Sequence, residues 1–429
     1  MSSIIIDNSQ KIKGNITISG SKNGILPILC SSLLLKGKVK LKNIPHISDV
    51  AFLVNIINNF GSTMLFDYQN GVSEESEFSL NIDNISVQYK NSPSKMIERM
   101  RASILLLAPM LARFGKAVIA LPGGCTIGAR PIDLHLYALE KLGAEIHIKD
   151  GKVYAEVKNG FVGNEIHMPK SSVGATENAI CGAVIAKGNT TIKNAAVEPE
   201  IAYLCDFLNL AGAKITGMGT DILEIEGVLE LLNDFEYTVP ADRIEAGTYA
   251  FIGALEGNDV TLLNCTLNAF DSIVNTLHEA GIGFEESKNE LKVKRLQDYD
   301  KNLHIKTGTF PDFFPTDLQS QLATYLLSRE GRFVIEENVF ENRAMYVGEL
   351  IKMGAKIELE GKNIIIHGKS NLIGTTVYGT DLRGAASCVM SGLMAKGTTV
   401  VKDIYHLDRG YDAMDVKLIK CGANLKRFC

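Results

Sequence analysis

Apolar stretches with few charges alternate with short Val- and Ile-rich runs along the chain, and glycines mark the junctions between them. The first glycine signature ends an apolar helical stretch and leads into a predicted strand. It occurs six times, at Gly37, Gly115, Gly188, Gly257, Gly331 and Gly397. A glycine just past a helix end supplies the left-handed conformation that stops a helix, and the β-branched residues after it favour a strand.

A second glycine signature follows an apolar residue and usually precedes a small one. It also occurs six times, at Gly61, Gly143, Gly212, Gly281, Gly354 and Gly422. The two signatures alternate with a period of roughly seventy residues, longer than that of common solenoid repeats. Each period predicts helix, strand, helix and strand, followed by further strand residues. Six such units favour two halves of three units, divided near Pro240. The alternative is chance recurrence of glycine-capped helices, which any α/β protein contains.

The stretches before the first set of glycines carry few charges, so their helices should be buried on most sides. These predicted helices are Lys22–Leu35, Ser103–Arg113, Ala175–Ala186, Arg243–Leu255, Thr316–Ser328 and Arg383–Ala395. The stretches before the second set, such as Asp133–Leu142 and Glu200–Leu210, are amphipathic. The pattern therefore predicts an α/β protein with buried helices.

Composition narrows the functional class. The 429 residues are 46% hydrophobic, which predicts two or three domains at roughly 100–200 residues each. A net charge of −5 argues against nucleic-acid or membrane partners, so any anion site must be a local cluster of Lys and Arg. We find no targeting signal, no apolar run long enough to span a bilayer and no metal-ligand spacing among the eight histidines. Eight scattered cysteines are typical of a reduced, cytoplasmic protein.

Several cations stand where helices are predicted to begin. Lys22, Arg101, Arg130 and Arg383 all occupy such positions. Helix N-termini attract anions and disfavour cations, so these residues indicate a bound phosphate or carboxylate. The alternative for each is an ion pair with an Asp or Glu.

The Gly-rich loop Leu121–Arg130 carries Cys125. Gly123, Gly124 and Gly128 allow conformations closed to other residues, and such a loop can close over a ligand. A thiol is mostly protonated at neutral pH and can donate a proton, although neighbouring cations would make it a nucleophile instead. The loop is neither a P-loop nor a dinucleotide fingerprint.

Carboxylates form the last group of candidates. Asp317 falls near the start of an apolar helix, where capping that helix is the alternative role. Asp242 beside Arg243, and Asp381 two residues before Arg383, are acid–base pairs at helix starts that could pair internally and order a site.

Taken together, these motifs resemble those of the enolpyruvyl transferases from end to end. The resemblance is carried by Ser19–Asn23, Met100–Ser103, Leu121–Asp133, Ser172–Thr176, Glu198–Ile201, Pro315–Asp317, Phe340–Arg343, Asp381–Arg383 and Tyr405–Gly410. It implies a two-domain inside-out α/β barrel with six βαβαββ repeats in two pseudo-threefold halves. The halves would be residues 22–239 and 240–429, with 1–21 packing onto the second and the active site in the cleft between them.

Within that family the chain resembles the branch that acts on UDP-N-acetylglucosamine. The resemblance implies transfer of the enolpyruvyl group of phosphoenolpyruvate to the 3′-hydroxyl of that sugar, with release of phosphate, through a tetrahedral intermediate. This would be the first committed step of peptidoglycan synthesis, and neither a metal nor an organic cofactor would be required. The oligomeric state stays open.

The resemblance also assigns roles to individual residues. Cys125 would be the acid and Asp317 the base, while Lys22, Arg130 and Arg409 would hold phosphoenolpyruvate. Fosfomycin, an epoxide that mimics phosphoenolpyruvate, should alkylate Cys125. The nucleotide sugar would contact Asn23, Arg101, Arg130, Pro131, Ile132, Asp133, Leu134, Lys170, Ser172, Val173, Gly174, Asp317 and Val339. Arg343, Asp381 and Arg383 would line the closed cleft.

Two alternatives remain. One is the shikimate-pathway enolpyruvyl transferase, which the Cys125 loop argues against because that branch does not resemble it. The other is a catalytically idle paralogue that binds nucleotide sugars for regulation. The presence together of Lys22, Cys125, Asp317 and Arg409 argues against an idle protein.

Overall fold

The computed structural model describes residues 2–7, 11–68, 78–90, 94–98, 100–121, 127–128 and 131–428. The chain divides into two compact units. The first unit comprises residues 20–125 and 130–240, and the second comprises residues 1–19, 126–129 and 241–429. Each unit has its own hydrophobic core.

Short strands and helices alternate through both units. The strands are β1 (Ser3–Ile6), β2 (Lys13–Thr17), β3 (Lys38–Lys42), β4 (Thr63–Tyr68), β5 (Phe78–Asp83), β6 (Lys116–Ala120), β7 (Glu145–Lys149), β8 (Lys152–Glu156), β9 (Glu165–His167), β10 (Asn189–Lys193), β11 (Lys214–Thr216), β12 (Ile222–Glu226), β13 (Phe235–Thr238), β14 (Asp259–Leu263), β15 (Ile282–Ser287), β16 (Glu290–Arg295), β17 (His304–Lys306), β18 (Gly331–Glu336), β19 (Ile357–Glu360), β20 (Asn363–Gly368), β21 (Thr376–Tyr378), β22 (Thr399–Lys402) and β23 (Leu425–Phe428).

The helices occupy the segments between these strands. They are α1 (Lys22–Ser31), α2 (Ser48–Asn58), α3 (Ser94–Ile97), α4 (Leu107–Phe114), α5 (Asp133–Lys141), α6 (Val173–Ala183), α7 (Pro199–Leu210), α8 (Arg243–Gly253), α9 (Val274–Glu279), α10 (Thr316–Leu326), α11 (Tyr346–Lys352), α12 (Leu382–Met394) and α13 (Met414–Lys420). Short 3₁₀ helices lie at Ser32–Leu34, Arg101–Leu106, Leu267–Phe270, Arg343–Met345 and Ile404–Arg409.

Within the described residues the strands form six sheets, three in each unit. Those of the first unit have strand orders β13-β3-β5-β4, β6-β8-β7 and β11-β12-β10-β9. Those of the second have orders β15-β16-β14-β2, β17-β18-β20-β19 and β21-β22-β1-β23. The five four-stranded sheets each have one edge strand parallel to its neighbour and antiparallel pairs beyond it, as where β9 is parallel to β10 and β10 is antiparallel to β12. The three-stranded sheet β6-β8-β7 is antiparallel throughout. Three sheets per unit confirm the predicted six repeats in two halves.

The N-terminal strands complete two sheets of the second unit. β1 lies between β22 and β23 and is antiparallel to both, with Ser3 opposite Lys402 and Phe428. β2 runs parallel to β14. Residues far apart in sequence thus share one sheet, and this pairing left no local signal in the sequence.

The predicted apolar helices lie in the cores. In α6 every residue from Ala175 to Ala183 is buried, and in α10 the same holds from Leu318 to Leu326. The predicted helix Ser103–Arg113 differs from expectation, because its first four residues belong to the 3₁₀ helix Arg101–Leu106 and α4 begins only at Leu107. No helix among the described residues has the length and apolar character needed to cross a membrane.

The glycine signatures have the backbone conformation that was predicted, with one exception. Eleven of the twelve glycines have positive φ angles, such as 70° at Gly115, which ends α4. Gly37 is absent from that set. A Cβ on Gly37 would lie 2.7 Å from the side chain of Asn233, so a close approach, rather than the dihedral angle, requires glycine there.

Candidate active site

In the second unit, one carboxylate is held between two arginines. Asp317 is the second residue of α10, one position inside the helix from Thr316. Its Oδ1 lies 2.6 Å from Nη2 of Arg343 and its Oδ2 lies 3.1 Å from Nη2 of Arg383. Both arginine side chains are only 3% exposed, whereas that of Asp317 is 28% exposed. We call Asp317, Arg343 and Arg383 the Asp317 cluster.

The alternative role of Asp317 as a helix cap is not what the structure shows. Pro315 occupies the N-cap position of α10, and the Asp317 carboxylate bonds the two guanidinium groups instead. Arg343 also donates from Nε and Nη2 to the carbonyl oxygen of Thr316, at 3.2 and 3.0 Å. The start of α10 is therefore held by Arg343 through both its backbone and its carboxylate.

The expected pairing within Asp381–Arg383 is different in the structure. Asp381 caps α12 by accepting hydrogen bonds from the backbone N–H groups of Arg383 (2.9 Å) and Gly384 (3.3 Å). Its carboxylate also lies 3.9 Å from Nη1 of Arg343. The guanidinium of Arg383 turns instead to Asp317. The reason is geometric: a capping carboxylate faces the helix backbone, which leaves the longer arginine side chain to find another partner.

The charges of the cluster set the protonation state of Asp317. Burial alone would raise its pKa, but the charges of Arg383 and Arg343 and their hydrogen bonds hold that pKa well below its ordinary value of 3.8. The same attraction raises the pKa of Arg383 despite its burial. Asp317 is therefore an anion at every working pH and a weak base in this arrangement.

A buried glutamate orders the segment that leads to Arg343. Glu337 accepts hydrogen bonds from Oγ1 of Thr316 (3.1 Å) and from the backbone N–H groups of Val339 (2.9 Å) and Phe340 (3.1 Å). Val339, a predicted sugar contact, stays exposed. Glu337 was not among the predicted site residues, because nothing in the local sequence separates it from a surface glutamate.

Only part of the Gly-rich loop can be placed. Cys125 and Arg130 lie outside the described residues. Ile127 and Gly128 group with the second unit, where the carbonyl oxygen of Ile127 accepts from the N–H of Asn342 at 3.1 Å. Gly128 has a φ of 141°, and a Cβ there would collide with the carboxylate of Glu341. The predicted need for glycine at this position is confirmed.

Arg409, predicted to hold phosphoenolpyruvate, ends the 3₁₀ helix Ile404–Arg409 and is partly buried. The pKa of His406 is lowered, mainly by burial and to a smaller extent by the positive charge of Arg409. The neighbouring Asp408 pairs with Arg427 at 2.5 Å. Arg409 thus follows directly after a residue that an ion pair holds in place.

In the first unit, Lys22 is buried at the start of α1. Ser21 caps this helix by accepting from the N–H of Gly24 at 3.1 Å. The ammonium of Lys22 lies 2.8 Å from Oδ2 of Asp49, in the first turn of α2. For Lys22, as for Arg383, the cation at a helix start has a carboxylate partner. Asn23 follows it and is partly buried.

Arg101 and the segment at residues 131–134 come together in the first unit. Nη2 of Arg101 donates to the carbonyl oxygen of Pro131 at 3.1 Å. Pro131 and Asp133 are exposed, while Ile132 and Leu134 are partly buried. The resemblance implied that these positions bind one ligand, and the structure places Arg101 against Pro131.

The buried His135 lies directly after the segment at residues 131–134 and contacts the start of α6. Asn178 accepts from the N–H of Ala108 (3.2 Å), which orients its amide so that the nitrogen lies 2.8 Å from Nδ1 of His135. Nδ1 therefore accepts, and Nε2 carries the ring proton. Burial and then the charge of Arg101 lower the pKa of His135 to about 3. A Cβ on Gly174 would lie 2.8 Å from Cε1 of this ring, so glycine is required there.

The remaining predicted sugar contacts surround the start of α6. Ser172 is its N-cap residue, and its hydroxyl makes no capping hydrogen bond among the described residues. Lys170 is exposed, and Val173 is partly buried. Sequence reasoning missed His135, Asn178 and Asp49, since each acts through a partner distant along the chain.

The comparisons with known proteins agree with this architecture. Residues 6–418 match the family model of EPSP synthase (3-phosphoshikimate 1-carboxyvinyltransferase). The enolpyruvyl transferase NikO from Streptomyces tendae has a crystal structure that matches with a TM-score of 0.88 at 21% identity, over 100% of this chain and 99% of that one. The chain therefore belongs to the enolpyruvyl transferase family, as its motifs predicted.

Curated relatives within that family share a single name. UDP-N-acetylglucosamine 1-carboxyvinyltransferase 1 of Caldanaerobacter subterraneus is 44% identical over 99% of this chain and 99% of that protein. UDP-N-acetylglucosamine 1-carboxyvinyltransferase 2 of Staphylococcus saprophyticus is 42% identical over 100% of this chain and 99% of that protein. The likeness covers both units.

Proposed function

We propose that this protein transfers the enolpyruvyl group of phosphoenolpyruvate to the 3′-hydroxyl of UDP-N-acetylglucosamine and releases phosphate. Identity of 44% with a relative of that name, over 99% of both chains, is the observation that carries the choice of sugar. We place the reaction in the cytoplasm, as the first committed step of peptidoglycan synthesis.

The reaction has two steps. In the first, the sugar oxygen bonds to C2 of phosphoenolpyruvate while the CH₂ carbon, C3, gains a proton, which gives a tetrahedral intermediate. In the second, C3 loses a proton and the C2–O bond to phosphate breaks, which restores the double bond. Cys125 would donate the proton to C3, because an ordinary thiol is mostly protonated at neutral pH and therefore has a proton to give.

Asp317 would take the proton of the sugar hydroxyl. Its depressed pKa makes it too weak a base to ionise a free alcohol. The alcohol becomes strongly acidic only as its oxygen bonds to carbon, so a weak base can accept the proton at that stage. A carboxylate oxygen can accept more than one hydrogen bond, so the bonds to Arg343 and Arg383 are compatible with this role. Asp317 would thus orient the hydroxyl first and deprotonate it late.

Phosphoenolpyruvate would be held by Lys22, Arg130 and Arg409. Arginine suits the bidentate contacts that phosphate and carboxylate make, and lysine adds a compact point charge. Asp49 holds the Lys22 ammonium in place at 2.8 Å. A fixed cation of this kind stabilises developing negative charge on the leaving phosphate without reorganising during the reaction.

The nucleotide sugar would bind along the segments that Arg101 and His135 organise. Arg101 fixes Pro131 through its carbonyl oxygen, and the ring of His135 fills the space beside Gly174. Because the pKa of His135 is about 3, the ring is neutral and adds no charge to the site. We propose that residues from both halves of the sequence act on the same two substrates.

Release of phosphate tests this function. Phosphoenolpyruvate is supplied with UDP-N-acetylglucosamine in one reaction and with shikimate 3-phosphate in another. We expect phosphate release in the reaction that contains UDP-N-acetylglucosamine and none in the reaction that contains shikimate 3-phosphate. Release only with shikimate 3-phosphate would assign the chain to the other branch, and no release with either would favour an idle paralogue.

A further inference from the structure

Beneath the Asp317 cluster lies a tyrosine whose hydroxyl is buried in a small polar network. Tyr411 is 2% exposed and follows Arg409 by two residues. Its hydroxyl oxygen is 2.9 Å from Oγ1 of Thr248, on α8, and 2.9 Å from Nε2 of Gln321, on α10. These partners are 163 and 90 residues away along the chain.

The directions of these hydrogen bonds follow from the number of protons available. The Thr248 hydroxyl donates its single proton to the carbonyl oxygen of Ile244 at 2.8 Å. Tyr411 must therefore donate to Thr248, and the Gln321 amide donates to Tyr411. Oε1 of Gln321 accepts from the Ser320 hydroxyl at 2.9 Å, which fixes that amide orientation. Nε2 of Gln321 also lies 3.2 Å from Oγ1 of Thr248, so the three side chains of the network all contact one another.

The network reaches two members of the Asp317 cluster. Nε2 of Gln321 also donates to the backbone carbonyl oxygen of Asp317, at 3.0 Å. Cζ of Arg383 lies 5.6 Å from the centroid of the Tyr411 ring, within range of a cation–π contact. The Tyr411 hydroxyl also accepts a hydrogen bond from the Arg383 side chain, which lowers the pKa of Tyr411 against the larger effect of burial. Tyr411 therefore contacts Arg383 through its ring and its hydroxyl and, through Gln321, reaches the backbone of Asp317.

We propose that Tyr411 is a positioning residue for the transfer reaction, and that its hydroxyl fixes Arg383 and Asp317 relative to one another. The inference rests on the proposed function of Asp317 as the base. Burial raises the pKa of Tyr411 above its ordinary value despite the nearby Arg383 charge, so the hydroxyl stays protonated and is not itself a base. Tyr411 acts through its neighbours by keeping Arg383 and Asp317 in fixed positions relative to each other.

Tyr411→Phe tests this role, because it removes the hydroxyl and keeps the ring under Arg383. A small misplacement of a reacting group costs up to about 10²-fold in rate, and we expect a loss in kcat of roughly tenfold. The KM values of both substrates should stay within about twofold, since the binding groups are untouched. The acid limb of the kcat–pH profile should move to higher pH. Without the hydrogen bond to the Tyr411 hydroxyl, Arg383 is held less firmly against Asp317, and the pKa of Asp317 rises toward its ordinary value.

Tyr325→Phe is the matched control. Tyr325 is also buried on α10, and its hydroxyl donates to the carbonyl oxygen of Gly281 at 3.3 Å, outside the Asp317 cluster. Both variants lose one buried hydroxyl and should show a comparable fall in the urea midpoint. Only Tyr411→Phe should lose kcat and shift the pH profile. Equal loss of activity in the two variants, or wild-type kcat in Tyr411→Phe, would overturn the proposal.

A cycle of variants keeps this test separate from the proposed function. Tyr411→Phe, Asp317→Asn and the double variant are compared by urea unfolding, which requires no substrate. We expect the two losses of stability to be non-additive, because the hydroxyl acts on a contact that Asp317→Asn has already removed. Additive losses would refute the coupling even if the transfer activity were confirmed.

Discussion

Replacing Asp317 by Asn should expose how strongly the two arginines depend on this carboxylate. The substitution keeps the shape of the side chain but leaves Arg343 and Arg383, each 3% exposed, facing one another without their shared anion. Removing one partner of a buried ion pair costs about 3–5 kcal/mol. Asp317 keeps 28% of its side chain exposed, and Asp381 remains 3.9 Å from Arg343. We therefore expect the lower end, about 3 kcal/mol of unfolding free energy.

Urea unfolding followed by circular dichroism measures this loss, since the chain contains no tryptophan to report by fluorescence. Glu285→Gln is the control: its carboxylate pairs with Lys294 at 2.9 Å but is 67% exposed. Breaking such an exposed pair should cost less than about 1 kcal/mol. If Asp317→Asn lost no more stability than Glu285→Gln, the claim that the two buried arginines depend on the Asp317 carboxylate would be refuted.

The pH dependence of the same difference gives a second check. The folded-state pKa of Asp317 is lowered, so its stabilisation is fully present above the unfolded pKa and is lost as pH falls through the folded value. The pKa of an aspartate in the unfolded chain is about 3.9. The gap between wild type and Asp317→Asn should therefore be constant from neutral pH down to about 5 and shrink only below about 3.9. A gap that closed near neutral pH would contradict the depressed pKa.

Three further substitutions test other parts of the site. Cys125→Ser should abolish phosphate release while circular dichroism stays unchanged, and Cys125→Asp should retain some activity because a carboxyl can also protonate carbon; near-normal turnover of the serine variant would refute the acid role. Gly174→Ala should raise the KM for the nucleotide sugar and not that for phosphoenolpyruvate, because its Cβ would lie 2.8 Å from the His135 ring. A KM for the nucleotide sugar equal to that of the wild type would contradict the requirement for glycine at this position. His135→Gln should flatten the pH dependence of stability. In the wild type, the unfolded chain protonates His135 near 6.5 and the folded chain only near 3, so stability falls as pH drops between these values; an unchanged slope in the variant would contradict that pKa.

The repeat architecture could be predicted from the sequence because its signals are local. Glycine conformation and helix polarity are decided within a few residues, so eleven of twelve glycine positions and the buried helices followed from the pattern. Strand pairing is not local. The insertion of β1 between β22 and β23 joins residues from opposite ends of the chain, and no feature of Ser3–Ile6 names those partners.

The site residues also divide into those that local sequence motifs identify and those that only the folded structure shows. Family motifs drew attention to Lys22, Asp317 and Arg383, but their partners appear only in three dimensions. Lys22 pairs with Asp49, and Asp317 is held by two arginines at once, which lowers its pKa. Tyr411 offered no signal at all, because its hydroxyl matters only through contacts made across the folded second unit.

The central claim concerns which alcohol receives the enolpyruvyl group. The most direct measurement supplies the wild-type protein with phosphoenolpyruvate and equal amounts of UDP-N-acetylglucosamine and shikimate 3-phosphate, and identifies the products by mass spectrometry. We predict that the nucleotide sugar alone gains an enolpyruvyl group, with one phosphate released for each product molecule. An enolpyruvyl group found only on shikimate 3-phosphate, or on neither alcohol, would contradict this account.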